Sequence, residues 1–181
     1  MTVRTAPVRI IAGDWGGRRI KAPSGRDVRP TTDRVREAWM SALGGRLDHL
    51  TVLDLFAGSG ALGLEALSRG AAHATFVEIA RASLRSLEQN VRLLEATARV
   101  TVVKGDAIKY AGKLGPRAFD LALADPPYDE GHAAALLARF AEMPFARELW
   151  VEHRTGEPIP ELPGLKHRRY GDTMLTIITA P

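Results

Sequence analysis

From Thr51 onward the chain alternates short β-rich runs with stretches of helical periodicity, a pattern few architectures accept. Strands are expected near 51–56, 74–79, 99–104, 119–125 and 148–153, and helices near 60–69, 81–94 and 132–143. The helix at 81–94 is the clearest, with Leu84, Leu87, Val91 and Leu94 on one face. Runs such as Phe119–Ala124 are almost continuously apolar, as strands covered on both faces must be. The expected fold is therefore α/β: a doubly wound, mostly parallel sheet of about seven strands with helices on both faces. Leu165–Arg169 and Met174–Thr179, joined through Gly171-Asp172, are expected to close the sheet as an antiparallel hairpin.

The N-terminal part reads differently. Arg9–Ala12 and Arg18–Lys21 form an expected β-hairpin, followed by a turn-rich stretch containing Pro23, Gly25 and Pro30. Val35, Ala38, Trp39, Ala42 and Leu43 then make a helical stripe, with Pro30-Thr31-Thr32 supplying the stop and cap and Gly44-Gly45 the end. Trp39 should be core. The 181 residues suit one domain, so residues 1–30 are taken as an arm appended to a domain over 31–181.

Charge is unevenly spread. The formal net charge is +4, but residues 1–36 hold nine basic residues against Asp14, Asp27 and Asp33, so that stretch is +6 and the remainder −2. The absence of cysteine excludes disulfides, thiolate zinc sites, iron–sulfur clusters and a cysteine nucleophile. The five histidines lack ligand spacing, so no metal is expected, and Gly58-Ser59-Gly60 lacks the spacing of a nucleophile elbow. No window approaches the roughly 18 apolar residues of a membrane span. A cytoplasmic monomer is expected.

Residues 52–63 read VLDLFAGSGALG, so Gly58, Gly60 and Gly63 complete G-x-G-x-x-G between a strand and a helix, with Glu78 at the end of the next strand. Such a loop lets a nucleotide-type ligand approach the backbone, and a carboxylate at Glu78 could accept two hydrogen bonds from a ribose diol. The glycines alone are also compatible with a tight turn in a ligand-free domain. Asp54 beside the loop would repel a pyrophosphate and suits a ligand with an ammonium, a sulfonium and no phosphate. Asp106, after the third strand, either accepts from an adenine amino group or caps the following helix.

Asp125-Pro126-Pro127-Tyr128 directly follows the apolar strand FDLALA. Two prolines cannot continue a ladder, so the strand stops and presents the Asp125 carboxylate and neighbouring carbonyls at the carboxyl edge, where open α/β sheets bind ligands. These acceptors suit methylation of an exocyclic amine. Hydrogen bonds from its N–H groups would orient a nitrogen whose lone pair is otherwise delocalised, and Asp125 would stabilise the positive charge that develops there. Tyr128 would stack on the base. A solvated turn is the alternative for an isolated D-P-P.

With these motifs in order, the chain resembles the class I S-adenosylmethionine-dependent methyltransferases, and more narrowly the RsmD family of 16S rRNA guanine-N2 methyltransferases. The matching stretches are RIIAGDWGGRRI (9–20), RPTTDRVREAWM (29–40), LDLFAGSGALGLEALSRGA (53–71), FVE (76–78), GDA (105–107) and DPPY (125–128). The glycine loop and DPPY mark the superfamily, and the two N-terminal runs point to the family. The resemblance implies a Rossmann-like fold and S-adenosylmethionine held by Asp54, Ala57, Gly58, Ser59, Gly60, Glu78, Asp106 and Ala107. It further implies the target amine at Asp125, Pro126, Pro127 and Tyr128, and 16S rRNA within a partly assembled small subunit.

The arm has the composition of an RNA grip, with Arg9, Arg18, Arg19, Lys21, Arg29 and Arg34 for phosphates and Trp15 for stacking. A solvated hairpin with Trp15 packed on the domain is the alternative. Lys166-His167-Arg168-Arg169 is either a further phosphate contact or an edge strand protected by charge. DPPY chemistry would also serve adenine N6 or a DNA amine. A non-catalytic rRNA-binding assembly factor and, less well, a nicotinamide oxidoreductase are the readings from other classes.

Overall fold

In the computed structural model, which describes residues 8–23 and 33–181, five strands run parallel: β3 (Thr51–Leu55), β4 (His73–Glu78), β5 (Val100–Lys104), β6 (Phe119–Ala124) and β7 (Ala146–Arg154). They lie where the apolar runs put them. Two more strands, β8 (Lys166–Tyr170) and β9 (Thr173–Thr179), complete a seven-stranded sheet in the order β5-β4-β3-β6-β7-β9-β8. β9 is inserted antiparallel between β7 and β8, which leaves β8 on the edge.

Helices α1 (Asp33–Ala42), α2 (Ala61–Ser68), α3 (Arg81–Leu93), α4 (Ala107–Lys113) and α5 (His132–Glu142) flank the sheet. Gly44 and Gly45 end α1 as expected, both at positive φ, with the Gly45 N–H reaching back to the Met40 carbonyl at 2.9 Å. α4 was not expected from the sequence. Its seven residues are too few to establish a period, and Asp106 announces it only as a cap, its Oδ1 accepting the Lys109 N–H at 2.8 Å.

Strand alternation divides the core between the two faces of the sheet. Val52, Leu64, Leu67, Phe76, Leu87, Trp39, Trp150, Leu175 and Ile177 pack on one face; Leu53, Leu55, Val77, Ala122, Leu136, Phe140, Phe145, Leu149 and Val151 pack on the other. Trp39 is fully buried against Trp150, with ring centroids 6.4 Å apart.

Residues 8–23 pack on the core rather than standing away from it. β1 (Val8–Arg9) and β2 (Arg19–Ile20) pair as a two-residue ribbon, far too short to stand alone, and Val8, Ile10 and Ile20 are buried in the same core cluster as Trp39. The ribbon is bolted down by polar side chains of α2 and α3. The buried Glu65 carboxylate accepts the N–H groups of Ile11 (2.7 Å) and Ala12 (3.1 Å), while Ser68 Oγ accepts that of Trp15 (2.9 Å). Gly13 is obligatory there: its φ is +83°, and a Cβ would lie 1.9 Å from the Ser68 carbonyl oxygen. Arg29, the cap at 30–32 and the proposed boundary at residue 30 lie outside the described residues. Among the described residues, no helix is long and apolar enough to cross a membrane, and no side-chain cluster could hold a metal.

Candidate active site

The sheet order reverses at β3: the chain goes outward through β4 and β5, then returns to β6 on the other side. Crevices form at such reversals, beyond the carboxyl ends of the strands. Here a cleft of about 820 Å³ opens, with the glycine loop on one wall and the Asp125–Tyr128 run on the other.

The three loop glycines do different work. Gly58, at φ +57°, faces open space and lets the loop turn beside the cleft. Gly60, at φ +85°, begins α2, and a Cβ there would lie 2.4 Å from Leu87 Cδ1. Gly63 brings α2 down onto β4, since a Cβ would stand 2.3 Å from the Phe76 ring. Gly60 is therefore set behind the cleft wall, whereas Asp54, Ala57, Gly58, Ser59, Glu78, Asp106 and Ala107 all line it.

Asp54 is buried and accepts the Gly63 N–H at 2.9 Å. Burial, with Asp125 and Glu78 nearby, pushes its carboxyl well above the usual carboxylate range. Glu78 Oε1 accepts the N–H groups of Ile79 (2.8 Å) and Ala80 (2.7 Å), and its Oε2 accepts that of Gly58 (2.7 Å). A carboxylate offers about four acceptor sites, so one remains, on Oε2, rather than the two a full diol contact requires. Asp106 caps α4 and also lines the cleft.

On the opposite wall Asp125 and Tyr128 are half-buried, Pro126 is buried and Pro127 exposed, and all four line the cleft. The Tyr128 hydroxyl donates to Glu152 Oε1 at 2.6 Å and lies 3.1 Å from Thr173 Oγ1; the Arg154 guanidinium sits 5.7 Å from its ring centroid. Burial and the hydrogen bond to Glu152 raise the phenol pKa further above 10.0, so it stays protonated. Glu152, buried on β7, also accepts the Trp39 indole N–H at 3.3 Å. Sequence reasoning missed it, although a carboxylate near the carboxyl end of an otherwise apolar strand was its available signal. Phe56 was also missed. It lines the cleft at φ +59° with its ring 5.1 Å from the His132 imidazole.

Of the residues expected to meet RNA, Arg9, Arg18, Arg19, Lys21 and Arg34 are exposed. Arg18 also donates to the Leu93 carbonyl. Trp15 is half-buried against the core with the Arg99 guanidinium 5.1 Å from its centroid, so its ring is not fully open for stacking.

The family model described as "Conserved hypothetical protein 95" matches residues 8–179. In Escherichia coli K12, the "Ribosomal RNA small subunit methyltransferase D" is 43% identical over 124 residues, 68% of this chain and 62% of that protein. The chain belongs to the RsmD family. The Bacillus subtilis "Putative rRNA methyltransferase YlbH" is 37% identical over 162 residues, 87% of this chain and 88% of that one. Among solved structures, the E. coli putative methyltransferase yhhF superposes with a TM-score of 0.81 at 33% identity, covering 95% of this chain and 97% of its own. That superposition covers nearly the whole of both chains.

Proposed function

We propose that this RsmD-family chain transfers a methyl group from S-adenosylmethionine to the exocyclic N2 of a guanine in 16S rRNA, within a partly assembled small subunit. It acts as a cytoplasmic monomer without a metal. The observation that carries the reading is the facing of the Asp125–Tyr128 acceptors across one cleft from a glycine loop rimmed by carboxylates. The names of the relatives agree with it.

The cleft suits S-adenosylmethionine. Asp54, Glu78 and Asp106 line the loop end, and among the described lining residues Arg154, at the Tyr128 end, is the one Lys or Arg. A cationic ligand free of phosphate fits there better than a dinucleotide. Asp54, Ala57, Gly58, Ser59, Glu78, Asp106 and Ala107 would hold it, with Gly60 shaping the turn beneath. When bound, the cofactor supplies an electrophilic methyl on its sulfonium.

The protein's own part is positioning and electrostatics. Asp125 and the Pro126 carbonyl accept the amine N–H groups, aligning the nitrogen and stabilising the charge that grows on it. Tyr128, its hydroxyl tied to Glu152 and Thr173, offers its ring for stacking. The exposed Arg9, Arg19, Lys21 and Arg34 hold phosphates.

Asp125→Ala should lower methyl transfer about 100- to 1000-fold while leaving the thermal melt and calorimetric S-adenosylmethionine binding as in the wild type. Mass spectrometry of nucleosides from treated rRNA should find N2-methylguanosine with the wild-type protein. Undiminished transfer by a folded Asp125→Ala variant would overturn the mechanism.

A further inference from the structure

The chemistry above makes no use of β8, although that strand carries Lys166, Arg168 and Arg169 with no acidic residue of its own. All three are exposed, and no carboxylate among the described residues lies within 4.0 Å of them. Such a run stands out in a body whose net charge outside the first 36 residues is −2.

Register decides which way these cations face. Paired residues on neighbouring strands point to the same side of a sheet. One row runs Trp150, Ile177, Lys166; the next Glu152, Leu175, Arg168; the third Arg154, Thr173, Tyr170. Lys166 and Arg168 therefore share a face with Glu152, Arg154 and Thr173, the three residues that hold or flank Tyr128. Two strand spacings, about 10 Å, separate Arg168 from Glu152, and Lys166 follows about 7 Å further along the strand. Tyr170, at the end of β8, itself lines the cleft. Arg169 points to the opposite face and is tied to the turn of the hairpin, its Nε donating to the Gly171 carbonyl at 2.9 Å.

We propose that Lys166 and Arg168 form a second phosphate-binding surface, which grips the RNA backbone flanking the nucleotide held at Tyr128. The proposal rests on the reading of the cleft as an RNA-methylating site. Together with the exposed arginines of β1, β2 and α1, this edge makes the RNA contact two-sided, with the cleft between.

Protection of the sheet edge is the competing role for these charges, and it is indifferent to their sign. Phosphate binding is not. Two double variants separate them: Lys166→Gln with Arg168→Gln, and Lys166→Glu with Arg168→Glu. Filter binding of 16S rRNA across a potassium chloride series should show the neutral variant about tenfold or more weaker at low salt. The slope of log affinity against log salt should be shallower by between one and two. The acidic variant, which keeps a charged edge, should bind still more weakly and remain monomeric on size exclusion. S-adenosylmethionine affinity should be unchanged in both. If both variants bind rRNA with wild-type affinity and slope, or the neutral one differs only in self-association, the proposal fails while the reading of the cleft stands. If the wild-type protein modifies no rRNA, both fall.

Discussion

Glu152 joins three parts of the chain at one carboxylate: Trp39 of α1, Tyr128 after β6, and β7 itself. A glutamine there keeps the volume but replaces one acceptor oxygen with a donor. The indole N–H of Trp39 can only donate, so the amide oxygen must stay with it, and the NH2 then meets the Tyr128 hydroxyl. Glu152→Gln should therefore lower kcat about tenfold through a misplaced Tyr128, with S-adenosylmethionine affinity unchanged. Added to Tyr128→Phe it should cost little more, because both act through the same contact. Steady-state kinetics of the two single variants and the double variant test this; independent, multiplying losses would count against it. Asp125–Tyr128 was legible in the sequence because its four residues are contiguous and two are proline. Glu152 was not, since its reach to Tyr128 depends on where the chain goes after β6, which no local pattern encodes. Glu78 was legible as an acid at a strand end, but not that three backbone amides already occupy most of its acceptor sites.

At the scale of elements, the parallel strands could be read because burial on both faces leaves uninterrupted apolar runs, and α3 because its stripe from Leu84 to Leu94 repeats over about three turns. α4 and the docking of the N-terminal ribbon could not. The ribbon is held by side chains more than 50 residues away, so its attachment has no signature in its own sequence. Glu65 is the centre of that attachment, accepting two ribbon amides and the Arg69 Nε at 2.8 Å, with both side chains almost wholly buried. Its removal leaves a buried guanidinium uncompensated and two amides without an acceptor. Glu65→Ala should destabilise the fold by about 3–5 kcal/mol in denaturant titrations. Glu65→Gln, which still accepts from one amide, should cost less.

For the molecule as a whole, one titrating group inside the β7–β9 pairing links stability to pH. His153 is buried, and its Nδ1 lies 3.0 Å from the Arg154 carbonyl, which can only accept; that nitrogen therefore carries the proton and Nε2 faces the Thr176 hydroxyl at 2.7 Å. Burial first, and His167 on the far side of Thr176, depress its pKa below 6.5, despite the opposing pull of the Arg154 carbonyl and Glu157. The unfolded chain then binds the extra proton at a higher pH than the folded one. Stability from this site is fully present above 6.5 and falls as pH drops toward the depressed folded value. Denaturant titrations at pH 7.5 and 5.5 should show a smaller loss for His153→Gln than for the wild type, and equal losses would count against the assignment.

The insertion of β9 between β7 and β8 also governs what the molecule can lose. β8 pairs with no strand but β9, so a chain stopped after Asp172 forfeits two strands for the residues of one. The glycine loop keeps its own residues, but β7 loses its antiparallel partner from Glu148 to Arg154 and the core loses Leu175, Ile177 and Ile178. Thr173 goes, and with it half of the anchorage of the Tyr128 hydroxyl, along with the cationic edge beyond. Damage at this end would thus fall first on the surroundings of Tyr128 and on the cationic edge, and only through β7 and the shared core on the glycine loop.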